Sequence, residues 1–279
     1  MTFRAVYFLL LALLITSCTE TPPQDASETK GHGEYIIRLD SEKRLDFNIP
    51  KNQEQKPYPW QENAPKSLLQ SLHHLNRDYF RCKGSNLNPT RVIEEKGKET
   101  VRLTDCGGAE KHSLPLRNDN EYIYPILIEL LNYIQHITKK PVIITSGHRC
   151  PTHNSYVDSS PQNSASKHML GAEVDFYIQG MEDQPEAAVK IILDFYKTQA
   201  RYQLQKEYLE FKRFEKKTNV LTLPWYNKEI FIKVFRATEG RNYDNRHAHP
   251  YLNLQVRFDR ERNLAVNFTW EQAQAFLRK

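Results

Sequence analysis

The chain has 279 residues, a formal net charge of +5, 26% charged residues and 39% hydrophobic residues. That length suits one large domain, or one domain with extensions, and the composition excludes a disordered or fibrous chain. The mildly basic balance suits an anionic polymer as a partner, but no stripe of basic and aromatic residues argues for nucleic acid.

Met1-Thr2-Phe3-Arg4 is a short basic start, and Ala5 to Ile15 is an apolar run too short to span a bilayer stably. The run ends in Leu14-Ile15-Thr16-Ser17-Cys18, a small residue before a cysteine, which resembles the bacterial lipoprotein signal. The resemblance implies cleavage before Cys18, lipid attachment there, and export to the cell envelope, anchored on the periplasmic face. A plain secretory signal with an incidental cysteine is the other reading, and it too leads out of the cytoplasm. Loss of residues 1–17 removes Arg4 and no acid, so the charge falls from +5 to +4.

Residues 19–33, rich in Thr, Pro, Ser, Glu and Lys, read as a flexible tether. Tyr35 to Leu39 is a candidate short strand, 50–65 a connector, and Lys66 to Tyr79 a candidate helix. The domain expectation is therefore a signal at 1–17, a tether and connector at 18–60, and a folded domain at 61–279 with its core at 122–258. Ser85 to Ser113 is polar and turn-rich, with a strand-like Thr100-Val101-Arg102-Leu103. Tyr124 to Thr138 carries apolar residues at 127, 130, 131, 134 and 137, one buried helix face. Lys139-Lys140-Pro141 ends it, and Val142 to Thr145 enters a sheet. Asn154 to Asn163 reads as a loop, and Gln184 to about Lys217 as a charged helical arm whose aromatics pack. Ile230 to Ala237 and Tyr251 to Phe258 read as paired strands around a long loop at 239–250. Leu264 to Phe268 adds a strand, and Thr269-Trp270-Glu271-Gln272 fits a capping box opening a last helix.

Past Cys18 three cysteines remain. In an oxidising compartment one pair is expected to bridge. Cys82 and Cys106 are favoured because both adjoin polar, turn-rich sequence, leaving Cys150; a pairing that includes Cys150 stays open.

The most informative stretch is Ser166-Lys167-His168-Met169-Leu170-Gly171-Ala172-Glu173-Val174-Asp175. Imidazole and carboxylate are both ligands that zinc accepts. The residues after Gly171 alternate like a strand, which sets Asp175 on a sheet and His168 on the loop leading in. Upstream, Ile143-Ile144-Thr145-Ser146-Gly147-His148-Arg149 runs an apolar strand into a Gly turn that presents Arg149.

Together these segments resemble the zinc D-alanyl-D-alanine carboxypeptidases, whose superfamily includes the lysostaphin-type endopeptidases and the hedgehog domain. The shared pattern is Ser-x-His-x-x-Gly-x-Ala-x-Asp after a Ser-Gly-(Tyr/His)-Arg turn. Ser146, Gly147, Arg149, Ser166, His168, Gly171 and Asp175 match it, over roughly Tyr122 to Phe258. The resemblance implies an α+β fold, a small antiparallel sheet flanked by helices. It implies zinc held by His168 and Asp175, with Arg149 and Ser166 towards the substrate and peptidoglycan stem peptides as that substrate. His247-Ala248-His249 resembles the superfamily's His-x-His element, which implies His249 as third ligand and His247 as proton carrier or oxyanion stabiliser.

Two departures bear on that transfer. Read against the branch with its third ligand inside the last strand, Tyr251-Leu252-Asn253-Leu254-Gln255 puts Asn253, a poor zinc ligand, at that position. Glu173 stands where the family has a small residue, on the same strand face as Asp175. It is a general base, an extra ligand or an obstruction. The competing expectation is thus an inactive peptidoglycan-binding lipoprotein of the same fold.

Overall fold

The computed structural model describes residues 58–61, 72–93 and 100–275. The signal, Cys18, the tether and the candidate strand at 35–39 lie outside them, as does most of the expected helix at 66–79. Of that helix the described part holds only a 3₁₀ turn, Arg77–Phe80. No helix among the described residues is long and apolar enough to cross a membrane.

A six-stranded antiparallel sheet is the frame of an α+β fold. Its strands are β1 (Val142–Ser146), β2 (Glu173–Ile178), β3 (Lys212–Arg213), β4 (Trp225–Tyr226), β5 (Ile230–Phe235) and β6 (Tyr251–Val256). They lie in the order β1-β2-β6-β5-β4-β3. Alternation divides the two faces. Val174, Phe176, Ile230, Ile232, Val234, Leu252 and Leu254 are buried in the core. Register pairs Asp175 with Asn253 and Glu173 with Gln255, so the other face carries polar residues at its centre.

Two helices cover the apolar side. The helix α1 (Pro125–Thr138) begins with Pro at its first position and ends at Lys139 in the left-handed region, φ 57°. It buries Leu127, Leu130, Leu131 and Ile134 as its periodicity predicts, but Ile137, expected on the same buried face, is 47% exposed in the last turn. After the seven-residue helix α2 (Pro151–Val157), α3 (Pro185–Thr198) buries Ala188, Val189, Ile192, Phe195 and Tyr196. Tyr133 and Phe195 meet edge to face at 5.0 Å and join α1 to α3.

The charged arm read as helical to about Lys217 is helical only to Thr198. It continues as a 3₁₀ turn, a four-residue helix and strand β3. Tyr196, Tyr202 and Tyr208 sit six apart, which rotates each far off the helix face of the last. The breaks let Tyr196 and Tyr202 both donate to the Glu229 carboxylate, at 3.0 and 2.6 Å. The expected loop at 154–163 is instead mostly helical, holding most of α2 and the 3₁₀ turn Pro161–Asn163. Thr269 caps the last helix, Trp270–Ala273, by accepting from the Gln272 amide.

Residues 72–80 run along α1. The Asn132 side chain accepts from the Leu75 amide at 2.9 Å and donates to its carbonyl at 2.8 Å. The Phe80 carbonyl then accepts from His148 N at 2.6 Å. This contact requires a glycine at 147, because a Cβ there would lie 2.5 Å from Phe80 Cα.

Gly171 ends the 3₁₀ turn Lys167–Leu170 at φ 65°, and a Cβ on it would meet the Tyr122 carbonyl at 2.9 Å. Gly171→Ala is expected to cost about 1–2 kcal/mol from the left-handed backbone alone, measured as a lowered urea midpoint with an unchanged slope.

Candidate active site

His168 is positioned by its local turn. Ser166 caps the turn by accepting from the His168 amide at 3.3 Å. Ring nitrogen Nδ1 donates to the Gly147 carbonyl at 2.7 Å, which leaves Nε2 to face the sheet. There it stands 3.5 Å from Asp175 Oδ2 and 3.7 Å from Glu173 Oε1. One donor atom from each of His168, Glu173 and Asp175 lies within 4.8 Å of the others, and all three residues are buried.

Their neighbours fix the carboxylates. Asn253 Nδ2 donates to Asp175 Oδ1 at 2.6 Å and to Glu173 Oε1 at 2.7 Å, bridging the two acids. Gln255 adds a second donor to Glu173 at 2.8 Å. Asp175 Oδ2 accepts from Asn245 at 2.8 Å and from Arg149 at 3.1 Å. Burial opposes ionisation of Asp175, but His168, Arg149 and Asn253 outweigh it and hold the carboxyl down at about 2. Glu173 is likewise lowered against its burial, by His168 and Lys233.

Arg149 is 2% exposed, and its guanidinium is engaged within the protein. Nε donates to Ser146 Oγ at 2.7 Å and to Asp244 Oδ2 at 3.2 Å, while Nη2 reaches Asp175. Arg149, expected to face substrate, thus has its guanidinium turned onto Ser146, Asp244 and Asp175. Ser166, also expected near substrate, caps the turn and donates to Glu173 at 3.4 Å.

Behind Arg149 the polar network continues. His153 donates from Nε2 to Asp244 at 3.2 Å and from Nδ1 to Asp105 at 2.7 Å. Burial pushes this imidazole down, yet the two aspartates prevail and raise it to about 9. Thr145 and Asn245 complete the set, with Thr145 Oγ1 donating to Asn245 at 2.5 Å. Sequence reasoning missed Asp105, His153, Asp244 and Asn245. Their only signal was the Asp-Asn pair within the histidine loop.

His247 and His249 stack on each other at 3.9 Å, and His249 meets Tyr177 at 4.2 Å. Tyr177 follows Asp175 on the same strand face. The two histidines therefore flank the cluster and stand outside the His168–Glu173–Asp175 group. His247 Nδ1 donates to the His249 carbonyl at 3.1 Å. Its Nε2 is buried without a hydrogen bond, as is Asn253 Oδ1. Arg241 pins the loop by donating to the carbonyls of Arg236 and His249, each at 2.8 Å.

The expected Cys82–Cys106 bridge is corrected. The cysteines are free thiols with sulfurs 3.6 Å apart, against about 2.05 Å in a disulfide. Cys150 and His112 join them in one cluster.

The imidazole and paired carboxylates fit a divalent cation such as zinc, since both are zinc ligands and their donor atoms converge. Residues 106–202 match a family described as Peptidase M15. The match spans β1, His168, Glu173 and Asp175, and ends before the histidine loop and Asn253. It supports a metallopeptidase kind of function. No curated protein and no solved structure matches the chain.

Proposed function

We propose that the chain is a zinc-dependent peptidase of the cell envelope that cuts peptidoglycan stem peptides, held to the membrane by lipid on Cys18. The observation that carries the reading is the turning of His168 Nε2 onto the paired carboxylates Glu173 and Asp175, within the stretch that matches Peptidase M15. These three residues would hold the metal. Bound there, zinc supplies Lewis-acid polarisation of a peptide carbonyl and an acidified water.

The chain's own groups supply the rest. Glu173 Oε1 accepts two amide donors and its other oxygen a hydroxyl, which suits a held ligand better than a proton carrier. His247 has Nδ1 tied and Nε2 bare, but burial and His249 hold its imidazole down at about 3, so near neutral pH it suits a passing contact with water better than storage of a proton. Arg149 and Asn245 orient Asp175. His249 would complete the ligand set if the loop pinned by Arg241 moved inward, the arrangement that the resemblance implies.

A second reading has its own support: Asn253 already bridges the two acids that the metal would join. On that reading the site holds stem peptides without cutting them. Assay of D-Ala-terminated muropeptides decides between the two, with zinc content measured beside it for the parent and His168→Ala. The enzyme should hydrolyse them, and His168→Ala should lose about one zinc per chain and lower the rate by about 10³. Peptidoglycan binding without hydrolysis by the zinc-loaded parent would select the binder, and an unchanged rate in His168→Ala would exclude the assigned site.

A further inference from the structure

We infer that Cys82, Cys106, His112 and Cys150 form a second, structural metal site that takes zinc or a similar thiophilic divalent ion. The four side chains come from three separate stretches of chain, yet their donor atoms all lie within 4.8 Å of one another. Cys82, His112 and Cys150 are buried. A tetrahedral site with zinc–sulfur bonds of about 2.3 Å and zinc–nitrogen bonds of about 2.05 Å sets sulfurs about 3.8 Å apart, and sulfur and nitrogen about 3.6 Å apart. Here the Cys82 and Cys106 sulfurs are 3.6 Å apart, and Cys106 Sγ is 3.5 Å from His112 Nε2.

The surroundings are built for such a site. His112 Nδ1 donates to the Ser113 carbonyl at 3.1 Å, which presents Nε2 to the sulfurs. Backbone amides donate to two of the sulfurs, Gly108 N to Cys106 at 3.3 Å and His153 N to Cys150 at 3.4 Å. Glycines make the room. A Cβ on Gly84 would sit 2.1 Å from Cys106 Sγ, and one on Gly108, at φ 72°, would sit 2.2 Å from the Gly84 carbonyl.

Three thiolates and one imidazole close a tetrahedron and leave no position for water, which marks a structural rather than a catalytic centre. Such an ion would tie the segment before α1 to the turn that carries Arg149, since Cys150 is the next residue. The site is independent of the His168 group, which contains no sulfur.

The test is cobalt(II) titration of the reduced, chelator-stripped full chain, beside peptide mapping of each cysteine in protein alkylated at cell lysis. The expected result is one equivalent of cobalt with an intense near-ultraviolet thiolate-to-metal absorption. That absorption should persist in His168→Ala and weaken at least several-fold in His112→Ala, which keeps every cysteine. Zinc should also protect Cys82, Cys106 and Cys150 from alkylation until chelator is added. Absence of the absorption in the parent, or a disulfide among the three at lysis, would overturn the site. Both readouts use the parent protein, so a variant that fails to fold cannot mask the answer.

Discussion

Asp175→Ala should both empty the candidate active site of metal and cost the fold about 3 kcal/mol. Asp175 is 3% exposed, and its carboxylate faces Arg149, itself 2% exposed. Removing one partner of a buried pair leaves an uncompensated charge, worth about 3–5 kcal/mol. The lower end applies because Asp244 still faces Arg149 at 3.2 Å. Asn245 and Asn253 lose an acceptor in the same step. Urea denaturation of parent and variant, each stripped of metal, isolates the protein's share. A variant as stable as the parent would mean that Arg149 rests mainly on Asp244.

Gly147→Ala should cost a comparable amount, about 3 kcal/mol, at the upper end of overpacking penalties. The new methyl would lie 2.5, 2.6 and 2.8 Å from Cα, O and C of Phe80. Those are backbone atoms, so no rotamer change relieves the contact. The Gly147 carbonyl also orients His168, and the variant should therefore weaken metal binding more than Gly171→Ala does. Isothermal titration with zinc checks the ordering, and equal affinities in the two variants would show that the turn adapts without moving His168.

The parts of the fold that follow local rules were legible in the sequence. The apolar spacing from 127 to 137 marked α1, and the apolar runs at 142–145, 230–237 and 251–258 marked β1, β5 and β6. His168 and Asp175 were legible because a loop histidine and a strand aspartate seven apart restrict what the segment can do. What stayed hidden depends on topology. His153 meets Asp244 across 91 positions and Asp105 across 48, and no spacing rule reaches that far. The cysteine group was read as a pair plus a remainder, because two gaps of 24 and 38 residues around Cys106 and His112 resemble no compact metal-binding spacing. Glu173 was noticed but left with three roles, and only the amides of Asn253 and Gln255 show how it is held.

The path of residues 72–80 along α1 bears on where the domain begins. The match to Peptidase M15 starts at residue 106, which suggests a core that could stand without what precedes it. Yet Leu75 and Phe80 are buried with the residues of α1 and the sheet, and Asn132 has both its amide groups committed to the Leu75 backbone. A polypeptide started at residue 106 would expose a hydrophobic furrow and strand the Asn132 side chain inside it. The smallest autonomous folding unit therefore begins upstream of Leu75, and the segment before α1 is a founding part of the architecture rather than an appendage to it.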